Sequence, residues 1–155
     1  MNLLRHAKLE WKSEIITHSA DPWNYRNRVR MKVHAGPDFA LGYHPLASHD
    51  LLPVKQCPIS SPAINRVIQS LWELGEGGKV PAGISEIEFF ADHADAKLVL
   101  EIYTAEGPPG MQEFGGALMV LRPEIRGVAF FTQGAGAAAF IANGLEFRGT
   151  LCDSA

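Results

Sequence analysis

The sequence predicts an α+β domain built on antiparallel sheet, a meander plus hairpins with one or two packed helices, and three observations carry that prediction. Several short stretches alternate apolar and polar residues with period two. One stretch, residues 61–77, changes to a helical period with start and stop signals at its ends. The breaks between these stretches are short and built of Gly, Pro, Asn and Asp. A chain of 155 residues fits one domain, residues 1–155. A domain of that size buries roughly two thirds of the surface its unfolded form exposes.

Taken in order, the opening stretch reads as the end of a helix, with Leu3, Leu4, Ala7 and Trp11 on one side. "EIITHSA" (residues 14–20) is a short strand, and Asp21 and Pro22 supply the turn after it. "YRNRVRMKVH" (residues 25–34) alternates cleanly. Arg26, Arg28, Arg30, Lys32 and His34 lie on one side and Tyr25, Asn27, Val29, Met31 and Val33 on the other, so a half-buried strand has one basic face. "HAGPD" turns the chain, and "FALGYH" (residues 39–44) returns antiparallel. After the loop "PLASHD", Pro53 in "LLPVKQC" removes a ladder donor and marks an edge strand.

Ser61 is the N-cap of the helix, Pro62 its favoured first residue, and Gly75 or Gly77 its stop. Ile64, Val67, Ile68, Leu71 and Trp72 form its buried stripe. "SEIEFFAD" and "AKLVLEIYTA" pair as a hairpin, Pro108 to Gly110 break the chain, and "MQEFGGALMVL" is a second helix weakened by Gly115 and Gly116. "RGVAFFTQ" is a further strand, and the last segment turns at Asn143 and Gly144.

Charge is unevenly spread. Residues 1–60 carry eight Lys/Arg against five Asp/Glu, and the remainder six against twelve. Five of the six histidines, His6, His18, His34, His44 and His49, add to the basic part. The strip invites two readings: a solvated face balanced by acids such as Glu86 and Glu88, or a phosphate-contacting face. In the second, arginines fork onto phosphate oxygens, and Trp23, Tyr25 and Tyr43 offer stacking surfaces to unpaired bases.

Other chemistry has thinner support. Gly134, Gly136 and Ala139 with Asp153 match a dinucleotide spacing, but too few residues follow Gly136 for the helix and second parallel strand such a site needs. His44, His49 and Cys57 lack paired metal-ligand spacing. Glu86, Glu88 and Glu101 read as solvated strand faces rather than an acid–base pair, and no Ser or Cys sits in a nucleophile-elbow pattern. Cys57 and Cys152 are expected as unpaired thiols of a cytoplasmic protein. No apolar run approaches the eighteen or so residues of a membrane helix.

The stretches "PWNYRNRVRMKV" and "LGYHPLASHDLLPVKQCPI", residues 23–59, resemble the central domain of the RNA (uracil-5-)-methyltransferases that act on ribosomal and transfer RNA. The resemblance implies an RNA-recognition and scaffolding domain, with Arg26, Arg28, Arg30, Lys32, Tyr43, His44, His49 and Lys55 as the RNA-contacting residues. It implies ribosomal or transfer RNA and the absent catalytic domain as partners, with no DNA and no membrane. Catalytic residues, metal and cofactor sites are expected elsewhere, since longer family members carry S-adenosylmethionine and an iron–sulfur cluster in other domains. His44, Pro45 and Pro53 depart from the family pattern, which reduces the expected RNA affinity. The alternative is a stand-alone interaction domain whose basic strand meets an acidic protein surface.

Overall fold

The computed structural model describes residues 16–105 and 110–132, and the backbone of 140–142. Seven strands form in chain order: β1 (Arg28–His34), β2 (Ala40–Tyr43), β3 (Leu52–Pro53), β4 (Ile84–Ala91), β5 (Leu98–Thr104), β6 (Ile125–Thr132) and β7 (Phe140–Ala142). They make one sheet of order β3-β2-β1-β4-β5-β6-β7. The meander is as expected, with Pro53 on the outermost strand, where a missing N–H costs no ladder bond. β4 and β5 form the expected hairpin.

Three details differ from the sequence reading. Residues 16–20 are irregular and exposed rather than a strand, because no neighbouring strand pairs with them. The basic strand begins at Arg28, while Arg26 only bridges to Ser60. The pair β5–β6 is parallel, which requires a crossover, and the second helix provides it. The helical segment at the N-terminus, the glycine spacing at residues 134–136 with Asp153, and the turn at residues 143–144 lie outside the described residues.

Helix α1 (Pro62–Glu76) starts where predicted: the Ser61 hydroxyl accepts from Ile64 N–H, and Asp95 of the β4–β5 turn accepts from Ala63 N–H at 2.9 Å. Its stripe of Ile64, Val67, Ile68 and Leu71 is fully buried against Met31, Ile87, Phe89, Leu100 and Ile102. Helix α2 (Met111–Leu121) buries Met111, Phe114, Leu118 and Met119. Both helices belong to the core formed by one face of the sheet. The opposite face, with Arg28, Arg30, Lys32, Phe90, Val99 and Tyr103, has no helix packed on it among the described residues.

Candidate nucleic-acid interface

The strip faces the open side of the sheet, as its alternation requires. It is not a bare row of cations. β1 lies antiparallel to β4, and the register sets Arg30 opposite Glu88 and Lys32 opposite Glu86. Arg28 Nε donates to Glu88 Oε1, Arg30 Nε and NH2 reach Glu88 Oε2 at 3.1 and 2.9 Å, and Lys32 pairs with Glu86. Cross-strand pairing of opposite charges thus offsets the repulsion that such a row would suffer. The balanced reading therefore holds for Arg28, Arg30 and Lys32, and an entirely basic face is corrected to a mixed one.

Glu88 is the hinge of this arrangement, 6% exposed yet on the open face. Burial alone would raise its carboxyl, but hydrogen bonds and charges from Arg28 and Arg30 outweigh that and hold it below the ordinary glutamate value. Arg30 is the most committed cation. Its NH2 also donates to the Tyr103 hydroxyl at 2.7 Å, and its guanidinium lies 4.4 Å from the centre of the Tyr103 ring. Tyr103 donates to Glu101 at 2.7 Å and stacks on Phe131 with ring centres 5.0 Å apart. Burial and then the Glu101 carboxylate push the Tyr103 hydroxyl up to about 12, so it acts as a neutral donor.

Two arginines retain donors. Arg28 engages Glu88 through Nε while 62% of its side chain stays exposed. Arg26 is exposed and has no ion pair among the described residues. It borders a small cleft with Asn24, Tyr25, Ser61 and His93, whose wall also carries the carboxylates of Asp92 and Asp95; Trp23 and Tyr25, close to it in the chain, are exposed.

The remaining predicted contact residues scatter. Tyr43 is half-buried, and its hydroxyl donates to Cys57 Sγ at 3.9 Å; burial, then the neighbouring thiol, raises its pKa. Lys55 pairs with Glu76 at 2.9 Å and lies 4.8 Å from the Trp72 ring centre, so it clamps the β3 segment to α1. His44 and His49 are exposed near the end of β1 far from Arg26 and share a cleft with Lys32 and His34. Among the described residues no group of His, Cys, Asp and Glu is placed to hold a metal.

Asn65 is the residue that sequence reasoning missed. It is buried, its amide oxygen accepts from Cys57 N–H at 2.8 Å, and its nitrogen donates to the carbonyls of Cys57 and Ser60 at 2.9 and 3.1 Å. It therefore ties the "CPIS" turn to α1, while Arg26 N–H and C=O bond to Ile59 and Ser61 on the same segment. The only sequence signal was a polar residue inside a helix stripe. Cys57 is buried too. Burial opposes its ionisation, yet hydrogen bonds from Ser60, Ile59 and Tyr43 leave its pKa lowered.

No family model matches the chain. Curated relatives share part of it. A 23S rRNA (uracil(1939)-C(5))-methyltransferase RlmD of Haemophilus influenzae is 34% identical over 74 residues, 46% of this chain and 17% of that protein. The RlmD of an Enterobacter species is 37% identical over 62 residues, 38% of this chain and 14% of that protein. The matched stretch thus spans about a sixth of the relatives' length. In structure, the chain is similar to the Pyrococcus abyssi tRNA (uracil-54, C5)-methyltransferase, described in complex with S-adenosyl-L-homocysteine, with a TM-score of 0.52 and 12% identity. The superposition covers 71% of this chain and 27% of that one. The likeness first read from residues 23–59 is thus found again: the chain resembles uracil-5 RNA methyltransferases in sequence over part of its length and one of them in fold.

Proposed function

We propose that this chain is an RNA-contacting and domain-supporting module of a uracil-5 RNA methyltransferase, and that it performs no methyl transfer by itself. The observation that carries the reading is Arg26: an exposed guanidinium without an ion pair among the described residues, within three residues of the exposed rings of Trp23 and Tyr25, inside the stretch that resembles the family. A guanidinium grips a phosphate through paired N–H donors, and Trp23 and Tyr25 can stack on unpaired bases next to it. Arg28, whose side chain is 62% exposed, adds a second phosphate contact. Arg30 and Lys32 serve the sheet instead, by neutralising Glu88 and Glu86.

The groups that supply the family's chemistry do not fit this chain. A cysteine-held iron–sulfur cluster asks for four thiolates, and the chain contains two cysteines, of which Cys57 is buried. S-adenosylmethionine of the Rossmann type asks for a parallel sheet with a crossover reversal, and the described sheet has one parallel strand pair. No step of a reaction is therefore assigned to these residues.

The test is binding of a single-stranded RNA followed against salt. Two to three phosphate contacts at about −0.7 each predict a loss of roughly sevenfold to twentyfold between about 50 and 200 mM salt. Four independent contacts would give about fiftyfold. Arg26→Gln should weaken binding and flatten the slope, whereas Val29→Thr, on the buried face, should cost stability and leave the slope alone. Absence of RNA binding at low salt, with an acidic protein bound instead, would refute the reading.

A further inference from the structure

We propose that the cleft between β1 and the β2–β3 loop is a phosphate-binding site that histidine protonation switches on. An open cleft of about 450 Å³ is lined by Lys32 and His34 of β1, His44 and His49 of the loop region, Asp50, and Ser85 of β4. The proposal deepens the RNA-contacting reading above, because it assigns a ligand chemistry and a regulation to His44 and His49.

The backbone builds this cleft. Lys32 pairs with Gly42 across the β1–β2 ladder, and alternation puts Lys32, His34, Gly42 and His44 on the open side of the sheet. Gly42 has no side chain to fill that side, and a Cβ there would lie 1.9 Å from the Leu52 carbonyl oxygen, so the chain leaving the loop can cross it closely. The loop reverses through Pro45 to Ser48, with Ser48 N–H donating to the Pro45 carbonyl at 3.1 Å and Ala47 in the left-handed region at φ 59°. That turn delivers His49 and Asp50 to the cleft.

The charge balance explains why the site is conditional. With neutral imidazoles the cleft holds Lys32, whose charge Glu86 matches, and Asp50, so an anion is repelled. His44 shows the switch at one atom. Its Nδ1 lies 3.0 Å from the Asp50 carbonyl oxygen, which can only accept, so Nδ1 carries the proton and Nε2 presents a lone pair. Protonation turns Nε2 into a charged donor, and with His34 and His49 adds three positive charges to the cleft; the Ser85 hydroxyl at its wall is already donated to the Tyr103 carbonyl at 3.1 Å, so the imidazoles supply the donors. Imidazole is the side chain whose charge changes across pH 5 to 8. The anionic oxygen of a phosphate is the ligand such a site selects.

The experiment follows the imidazole NMR signals of the full chain at about pH 5.5 and about pH 8 at low salt. Inorganic phosphate and a single-stranded RNA oligonucleotide serve as separate probes. The His34, His44 and His49 signals should shift saturably with either probe at the lower pH and stay fixed at the higher. RNA affinity should rise about tenfold on acidification, the size expected of three exposed ion pairs of ordinary strength. Combined His34→Gln, His44→Gln and His49→Gln should abolish that rise while the melting temperature stays unchanged. Signals unmoved by both probes at the lower pH overturn the cleft, and RNA retention through Arg26 would then leave the proposed function standing. Phosphate shifts without RNA binding at either pH support the cleft as a free-anion site and sink the RNA reading.

Discussion

Glu88 ties two arginines of the neighbouring strand to one carboxylate, so its charge state sets whether the open face is ordered. A carboxyl held below its unfolded value contributes stability that is complete above about pH 4.3, the ordinary glutamate value, and is lost as pH falls through the depressed folded value. Acid unfolding should therefore begin below about pH 4, and Glu88→Gln should remove part of that acid dependence while lowering stability at neutral pH. Denaturant melts at several pH values measure both effects; an identical pH profile in the variant would show that the two arginines do not hold this carboxyl. Gly75 makes a second case at single-residue scale. A Cβ there would lie 2.1 Å from the Phe39 ring, itself packed edge-on against Trp72 at 5.4 Å. Gly75→Ala gains helix propensity, yet the overpacking should outweigh it, for a net loss of about 1–3 kcal/mol. Stabilisation in a melt would mean that the ring moves aside freely.

Among the elements, α1 buries nine of its fifteen residues and α2 five of its eleven. Ile68 is fully buried in the middle of α1, so Ile68→Ala should cost about 2–5 kcal/mol through lost transfer energy and the cavity left behind. A domain of ordinary stability would barely survive that loss, and a melting temperature unchanged by the substitution would overturn the packing described. The start of α1 is held by two oxygens from different places, Ser61 beside it and Asp95 across the β4–β5 turn. Both accept from N–H groups of the first turn, but only Ser61 could be named from the chain, because Asp95 is 34 positions away from it and reaches the helix through sheet pairing. The same holds for α2: its presence followed from its apolar spacing, whereas its role as a parallel crossover between β5 and β6 depends on which strands become neighbours.

At the scale of the molecule, the described helices cover one face of the sheet and, among the described residues, leave the other to charged and aromatic side chains, so the proposed RNA contacts lie on the open face and the meander edge. Calorimetry with S-adenosylmethionine should accordingly show no stoichiometric micromolar site, and one such site would refute the assignment of this chain to RNA contact alone. Sequence by itself determined the alternation, hence that Arg28, Arg30 and Lys32 share a side, along with the helix boundaries and the edge position of Pro53. These are short-range properties, set by backbone periodicity and by what one residue can donate or cap. Tertiary structure alone decided which of those cations remain available. Glu86 and Glu88 stand more than fifty positions along the chain, and nothing local says which residue each will face. Strand register does so, because a slip of one residue would send Met31 to solvent and the glutamates into the core, and burial of Met31, Ile87 and Phe89 forbids it.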